Sequence, residues 1–318
     1  MTTTFDFTSA GVRCAGTHVA PLAGEEGAPD LAPVVVLAHG LAGTQDAGLQ
    51  PFAEAFAAAG LHAVTFDYRG FGASDVAPGE PRQAVSLDGQ VADLHAAIDA
   101  AKRLPGVDPA RVVLWGVSLG GGHVVSVAAE RTDIVAVVSV VPMVDGLAAA
   151  RLAARHHAPG QLLASTGRGL ASALRRRAGR GPAMIPVVAR PGETGALTLP
   201  GAYEDYLAIA GPTWRNEVAA DVVLELGTRA PARAAAQLAV PWLVQVADFD
   251  RSAPPHAAMK AAFAGRAEVR HYPGDHFDLF PGKPFHEPAV RHALHFLARV
   301  VDPAPAGASR RTDPLVRL

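Results

Sequence analysis

The sequence has one cysteine, Cys14, so no disulfide can form within the chain and its residue usage does not favour an oxidising compartment. It has no long apolar run. No stretch reaches the roughly 18 consecutive apolar residues that a membrane-spanning helix requires. The first residues, Met1-Thr2-Thr3-Thr4-Phe5-Asp6-Phe7, show neither the basic nor the apolar segment of a secretory leader. Charge of either sign is not in excess, because 28 Lys and Arg against 30 Asp and Glu give a formal net charge of -2. That balance provides no electrostatic pull toward nucleic acid or a membrane surface. The expectation is a cytoplasmic protein with neither as partner.

Of the 318 residues, 49% are hydrophobic, enough for a large core. The length is generous for one minimal domain and short for two, which suits one core carrying an insertion. The most informative run is Val112-Val113-Leu114-Trp115-Gly116-Val117-Ser118-Leu119-Gly120-Gly121-Gly122. It reads as a β-branched strand that ends in Gly-x-Ser-x-Gly and enters a small-residue helix. A serine hydroxyl is a weak nucleophile unless it is lifted from the sheet and held against a base. A tight strand-to-helix turn does the lifting, and the helix N-terminus favours developing negative charge.

Companion motifs lie on both sides. Ala32 to Ala38 reads as a buried strand followed by His39-Gly40-Leu41-Ala42-Gly43. The amides of Leu41 and Leu119 are the candidate oxyanion hole, whose donors meet charge that is full only in the tetrahedral state. Loss of one such donor typically costs about 2.7–4 kcal/mol. Downstream, Val240 to Ala247 is a strand opening into Asp248-Phe249-Asp250-Arg251-Ser252-Ala253-Pro254. Glu268 to Tyr272 is a strand leading to Pro273-Gly274-Asp275-His276-Phe277-Asp278. The order is serine, acid, histidine, each just after a strand, which separates this arrangement from other serine triads.

These residues, with Phe66-Asp67-Tyr68-Arg69-Gly70-Phe71-Gly72-Ala73-Ser74, resemble the α/β-hydrolase superfamily from about Pro33 to about Val301. Within it the chain is similar to the dienelactone-hydrolase and esterase branches. It is also similar to fungal polyketide transferases, through Trp115-Gly116, His276-Phe277-Asp278 and Pro212-Thr213-Trp214-Arg215-Asn216. The resemblance favours Asp250 as the acid, because Asp250 and Pro254 match the family spacing, with Ala247 where relatives have glycine. Asp248 follows the same strand, and Asp145 follows the preceding one. The motifs are specific to superfamily level and set neither the acyl group nor the oligomeric state.

Strand and helix patterns alternate along the chain, predicting an α/β fold with a doubly wound, mostly parallel sheet. Thr4 to about Pro21 reads as a strand pair, with Gly24 to Asp30 as a polar connection. The alternation stops from Asp145 to about Leu238, which has Arg-rich helical stretches and no clear sheet strand. A structureless loop that long does not suit a compact domain, so the segment reads as a helical cap. The division is a core over 1–144 and 239–301, a cap insertion over 145–238 and a C-terminal tail over 302–318, which contains Arg310-Arg311-Thr312-Asp313.

The reading is a serine hydrolase for an ester or thioester, with Ser118, Asp250 and His276 as its triad and no metal or organic cofactor. His39 and Trp214 are candidate pocket residues, although His39 also suits a role in shaping the oxyanion turn. His123 reads as packing, and His156-His157 as part of a solvated helix. The cluster Arg175-Arg176-Arg177-Ala178-Gly179-Arg180 reads as a solvated face, with docking of an acidic acyl carrier protein as the alternative. Acyl transfer to an alcohol or amine would use the same triad. A non-catalytic binding module on this fold would lose a triad member or the oxyanion turn, and this chain retains both.

Overall fold

The computed structural model describes residues 1–21, 31–156 and 159–301. The polar connection at Gly24 to Asp30, His157 and the tail after Val301 lie outside the described residues.

The first half contains strands β1 (Thr2–Ser9), β2 (Val12–Val19), β3 (Ala32–Ala38), β4 (His62–Phe66), β5 (Val107–Val117) and β6 (Ile134–Val140). Its helices are α1 (Gln50–Ala58), α2 (Leu87–Ala101) and α3 (Leu119–Glu130). Next come α4 (Gly146–His156), α5 (Pro159–Arg177), β7 (Met184–Ile185), α6 (Ala202–Ile209), β8 (Val218–Ala219), α7 (Val222–Thr228) and α8 (Ala232–Ala235). The chain then returns to β9 (Trp242–Ala247), α9 (Pro255–Ala264), β10 (Glu268–Tyr272) and α10 (His286–Val300).

Eight strands form one sheet in the order β1-β2-β4-β3-β5-β6-β9-β10. β2 runs antiparallel to β1 and β4, and the remaining pairings are parallel. Every residue of β4 and β9 is buried, as are Val112 to Val117 of β5. Continuous Val, Leu and Ile runs without polar alternation follow from cover on both faces. α1 packs beside α10, while α2, α3, α8 and α9 form a second contiguous set.

The topology sets the site. β3 and β5 lie side by side with Ala38 opposite Gly116, so the turns after both strands emerge together. β9 and β10 are also neighbours, with Tyr272 opposite Ala247, and this pairs the loops that hold Asp250 and His276. Sites at the carboxyl ends of strands are the rule in open α/β sheets.

The segment between β6 and β9 adds no strand to the main sheet, but it is not wholly helical. β7 and β8 form a small antiparallel pair, Met184 with Ala219 and Ile185 with Val218. Two-residue strands leave no periodicity to read in the sequence. Among the described residues, no helix is long and apolar enough to cross a membrane.

Candidate active site

Ser118 sits between β5 and α3 with φ 56° and ψ -119°, a left-handed conformation that non-glycine residues seldom adopt. Its N–H donates to the Val140 carbonyl at 2.9 Å, and its own carbonyl accepts from Met143 N–H at 2.9 Å. The flanking glycines make the turn possible. A Cβ on Gly116 would run into the Gly120 carbonyl, and one on Gly120 would meet the carbonyls of Ala38 and His39.

The turn directs the hydroxyl at His276, whose Nε2 lies 3.1 Å from Ser118 Oγ. On the other side of the ring, Nδ1 lies 2.7 Å from Asp250 Oδ2. Asp250 is itself fixed, because its Oδ1 accepts from the N–H groups of Ser252 and Ala253, each at 2.7 Å. Both Asp250 and His276 are buried. Burial alone would push the imidazole pKa down. The charge and hydrogen bond of Asp250, with Asp275 nearby, outweigh it and hold His276 above 6.5. With Nδ1–H donated to Asp250, Nε2 is left free to take the serine proton.

The other acids do different work. Asp248 turns to the half-exposed His271, Oδ1 to Nδ1 at 2.6 Å. Asp145 accepts from Ala148 N–H at 2.9 Å at the start of α4. Asp275 and Asp278 form a capping box on the 3₁₀ turn His276–Leu279. Asp275 Oδ1 accepts from His276 N–H at 2.8 Å and from Arg251 N–H at 3.0 Å, while Arg251 Nε donates to Oδ2 at 2.7 Å. One carboxylate thus ties the loop of Asp250 to the loop of His276. The sequence signal was Asp-x-x-Asp, the spacing of a capping box beside the histidine.

Leu41 and Leu119 both border the cavity above Ser118. Among the described residues, neither of their N–H groups is paired with a protein acceptor. The turn after β3 carries Ala42 at φ 51° and is braced from the inserted segment. Tyr206 Oη donates to the Leu41 carbonyl at 2.8 Å, and Trp214 Nε1 donates to the Ala42 carbonyl at 3.1 Å. Trp214, expected in the pocket, is outside the cavity lining and stacks on Tyr206 with centroids 4.9 Å apart. Its indole N–H needs a partner when buried, and the turn carbonyl supplies one. His39 is buried with Nδ1–H donated to the Gly40 carbonyl at 3.0 Å, and it borders a small recess of about 30 Å³ beside Ser118. His123 is buried against Gln90, Nε2 to Oε1 at 3.1 Å, and burial pushes its pKa down to about 3.

The main cavity has a volume of about 490 Å³. Its floor holds Ser118, Leu119, Leu41, Met143 and His276. Its walls come from α4, α5, α7 and the stretch from Gly192 to Thr198, and the α4 contribution is small: Gly146, Ala149, Ala150 and Ala153. A volume of this size falls within the range of small-molecule sites. A serine, an imidazole aligned by a carboxylate, and two unpaired amides beneath such a cavity are equipped for acyl transfer.

The family model described as serine aminopeptidase, S33, matches residues 29–184. Over 272 residues the chain is 38% identical to the quorum-quenching protein AidA of Acinetobacter baumannii, covering 85% of this chain and 87% of that protein. It is 33% identical to the polyketide transferase grgF of a Penicillium species over 113 residues, 36% of this chain and 37% of that one. The crystal structure of the α/β hydrolase GrgF from Penicillium sp. sh18 superposes with a TM-score of 0.76 at 21% identity, covering 95% of this chain and 99% of that chain, a likeness of fold. The chain belongs to the α/β-hydrolase family of enzymes.

Proposed function

We propose that the chain is a serine hydrolase that cleaves a carboxylic ester or thioester through an acyl-enzyme. The observation that carries this reading is the line of contacts from Ser118 Oγ to His276 Nε2 and from His276 Nδ1 to Asp250. In the proposed cycle His276 takes the Ser118 proton as Oγ attacks the carbonyl carbon. The amides of Leu41 and Leu119 receive the oxyanion, and Asp250 stabilises the imidazolium without taking its proton. His276 then protonates the leaving alcohol or thiol as the carbonyl reforms. Water, deprotonated by the same imidazole, releases the acid in the second half. The inserted segment acts as a cap whose walls select the acyl group.

The local similarity to a polyketide transferase favours a second reading, acyl transfer from the same acyl-enzyme to an alcohol or amine. The substrate would come free or carried on an acidic acyl carrier protein docked near Arg175.

The test is acyl release from p-nitrophenyl esters and acyl thioesters of graded length, followed by intact mass of the protein. Because the Acinetobacter relative is named for quorum quenching, small signal molecules with an ester bond, open or cyclic, belong in the panel. The expected result is release that peaks at one acyl size and vanishes in Ser118→Ala. A stable acyl mass on Ser118, turned over only when an alcohol or amine is added, would establish transfer instead. Neither release nor adduct across the panel would overturn both readings.

A further inference from the structure

The outward face of α5 combines two features that rarely coincide on a solvated helix. Leu163, Leu170 and Leu174 are 74, 54 and 63% exposed. At about 100° per residue they fall on one line along the helix. The buried residues of the same helix, Gly169 and Ser172, lie on its other side. A helix that packs on a domain normally turns its leucines inward. Here they form an outward ridge.

The second feature is charge. From 146 to 192 the sequence has eight arginines and neither aspartate nor glutamate, in a chain whose formal net charge is -2. Arg176 is occupied by Asp221 and Glu80. Arg168 and Arg177 are exposed and make no ion pair among the described residues, and the exposed Arg175 donates only to the Gly181 carbonyl, at 3.1 Å. By the same geometry Arg177 lies about 40° from the leucine ridge and Arg175 about 120° from it, while Arg168 lines the cavity above Ser118. Near-neutral charge over the whole chain conceals a local positive field.

We propose that the outer face of α5 docks on an anionic lipid surface, with the leucine ridge entering the acyl boundary and the long side chains of Arg175 and Arg177, at the end of the helix, reaching headgroup phosphates. An apolar ridge bordered by arginine is the pattern of a helix lying in a bilayer interface. The cations draw it to anionic lipid over a distance set by salt. A second copy of the chain is a poor occupant, because a two-fold contact through α5 would set arginines against arginines with no carboxylate on that helix to pair them. An acidic protein would satisfy the arginines but would need a groove cut to the ridge, whereas fluid lipid accommodates any ridge. Leu162 and Ser165 of the same helix line the cavity above Ser118, so docking would bring a cavity wall against the acyl layer. The attachment is peripheral, and it stands independently of the chemistry at Ser118.

The test is flotation of the full chain with phosphatidylcholine vesicles, with and without a third of phosphatidylglycerol. The variants are Leu163→Ser/Leu170→Ser/Leu174→Ser and Arg175→Glu/Arg177→Glu. The expected result is binding to the anionic vesicles only, weakened at least tenfold in each variant and by raising salt from 0.05 to 0.5 M (about 13 to 4 Å of screening length). An unchanged melting temperature and unchanged turnover of a water-soluble ester in the leucine variant would show that the loss is one of docking. No flotation with anionic vesicles, or flotation indifferent to the leucine substitutions, would overturn the proposal. So would a concentration-dependent dimer in sedimentation that the leucine variant abolishes, because the ridge would then belong to a second copy.

Discussion

His276 experiences two opposed effects, and their balance makes a kinetic prediction. Burial disfavours the charged ring, while Asp250 and Asp275 favour it and prevail. The ring must be neutral to accept the Ser118 proton, so kcat/KM should fall on the acid side with a midpoint above 6.5. Asp250→Asn removes the charge and leaves burial in command. That variant should lose about four orders of magnitude in kcat, because the ring also loses its tautomer, and the residual acid limb should move to lower pH. A pH profile of the parent centred below 6.5, or an Asn variant with an unmoved limb, would show that Asp250 does not set the ring's affinity for the proton. The same scale explains which residues the sequence disclosed. Ser118, Asp250 and His276 each follow a strand and occupy motif positions. Trp214 lies in a motif segment but follows no strand that would aim it at the site, and an aromatic beside a pocket and one beneath a turn look alike in one dimension.

Elements show where the sequence was legible and where it was not. The buried stretches of β3 to β6 and β9 were readable because a continuous apolar run between turn residues has few other interpretations. The pair β7 and β8 was not, because two residues carry no period. The strained positions in two turns fall on Ala42 and Val141, with φ 51° and 39°, rather than on a glycine that would announce them. The 3₁₀ turn His276–Leu279 was hidden for another reason: the sequence places Asp275 beside the histidine but does not reveal that Arg251 reaches it from the neighbouring loop. This cross-loop tie yields a prediction. Asp275→Ala should cost about 1–2 kcal/mol of stability through the lost cap and release the two loops from each other. Because the histidine is then less firmly placed, kcat for a p-nitrophenyl ester should fall while KM changes little. Asp275→Asn, which retains an acceptor for His276 N–H, should recover part of kcat. If alanine changed only the denaturation midpoint, the tie would serve the fold and not the position of the imidazole.

The whole molecule buries several histidines besides His276, and their summed titration should govern its response to mild acid. His18 Nε2 donates to His62 Nδ1 at 2.8 Å, and His62 Nε2 donates to the Gly106 carbonyl at 2.8 Å, an arrangement available only while the His62 ring is neutral, because its Nδ1 must accept. Burial pushes His18 down to about 4 and lowers His62. It also lowers His39, and takes His123 to about 3. In the unfolded chain these rings titrate near 6.5. Below that pH the unfolded state therefore binds protons that the folded state refuses, and stability falls as pH falls. Each ring removes about 1.4 kcal/mol per pH unit within its window, which for His18 runs from 6.5 down to about 4. His276 works in the opposite direction: its raised pKa adds stability below 6.5 that is lost as pH rises through the folded value. One ring against four leaves a net loss in acid. The window from pH 6.5 to 5 lies above the range where ordinary carboxylates protonate, so the histidines dominate it. Urea denaturation at half-unit steps from pH 7.5 to 5 should show a flat upper part and then a steep decline. His123→Gln, which can still donate to Gln90 Oε1, should remove about one proton from the slope. A parent protein whose stability stayed level or rose between pH 6.5 and 5 would mean that these rings take up protons in the folded state, and that the His18–His62 arrangement opens without cost.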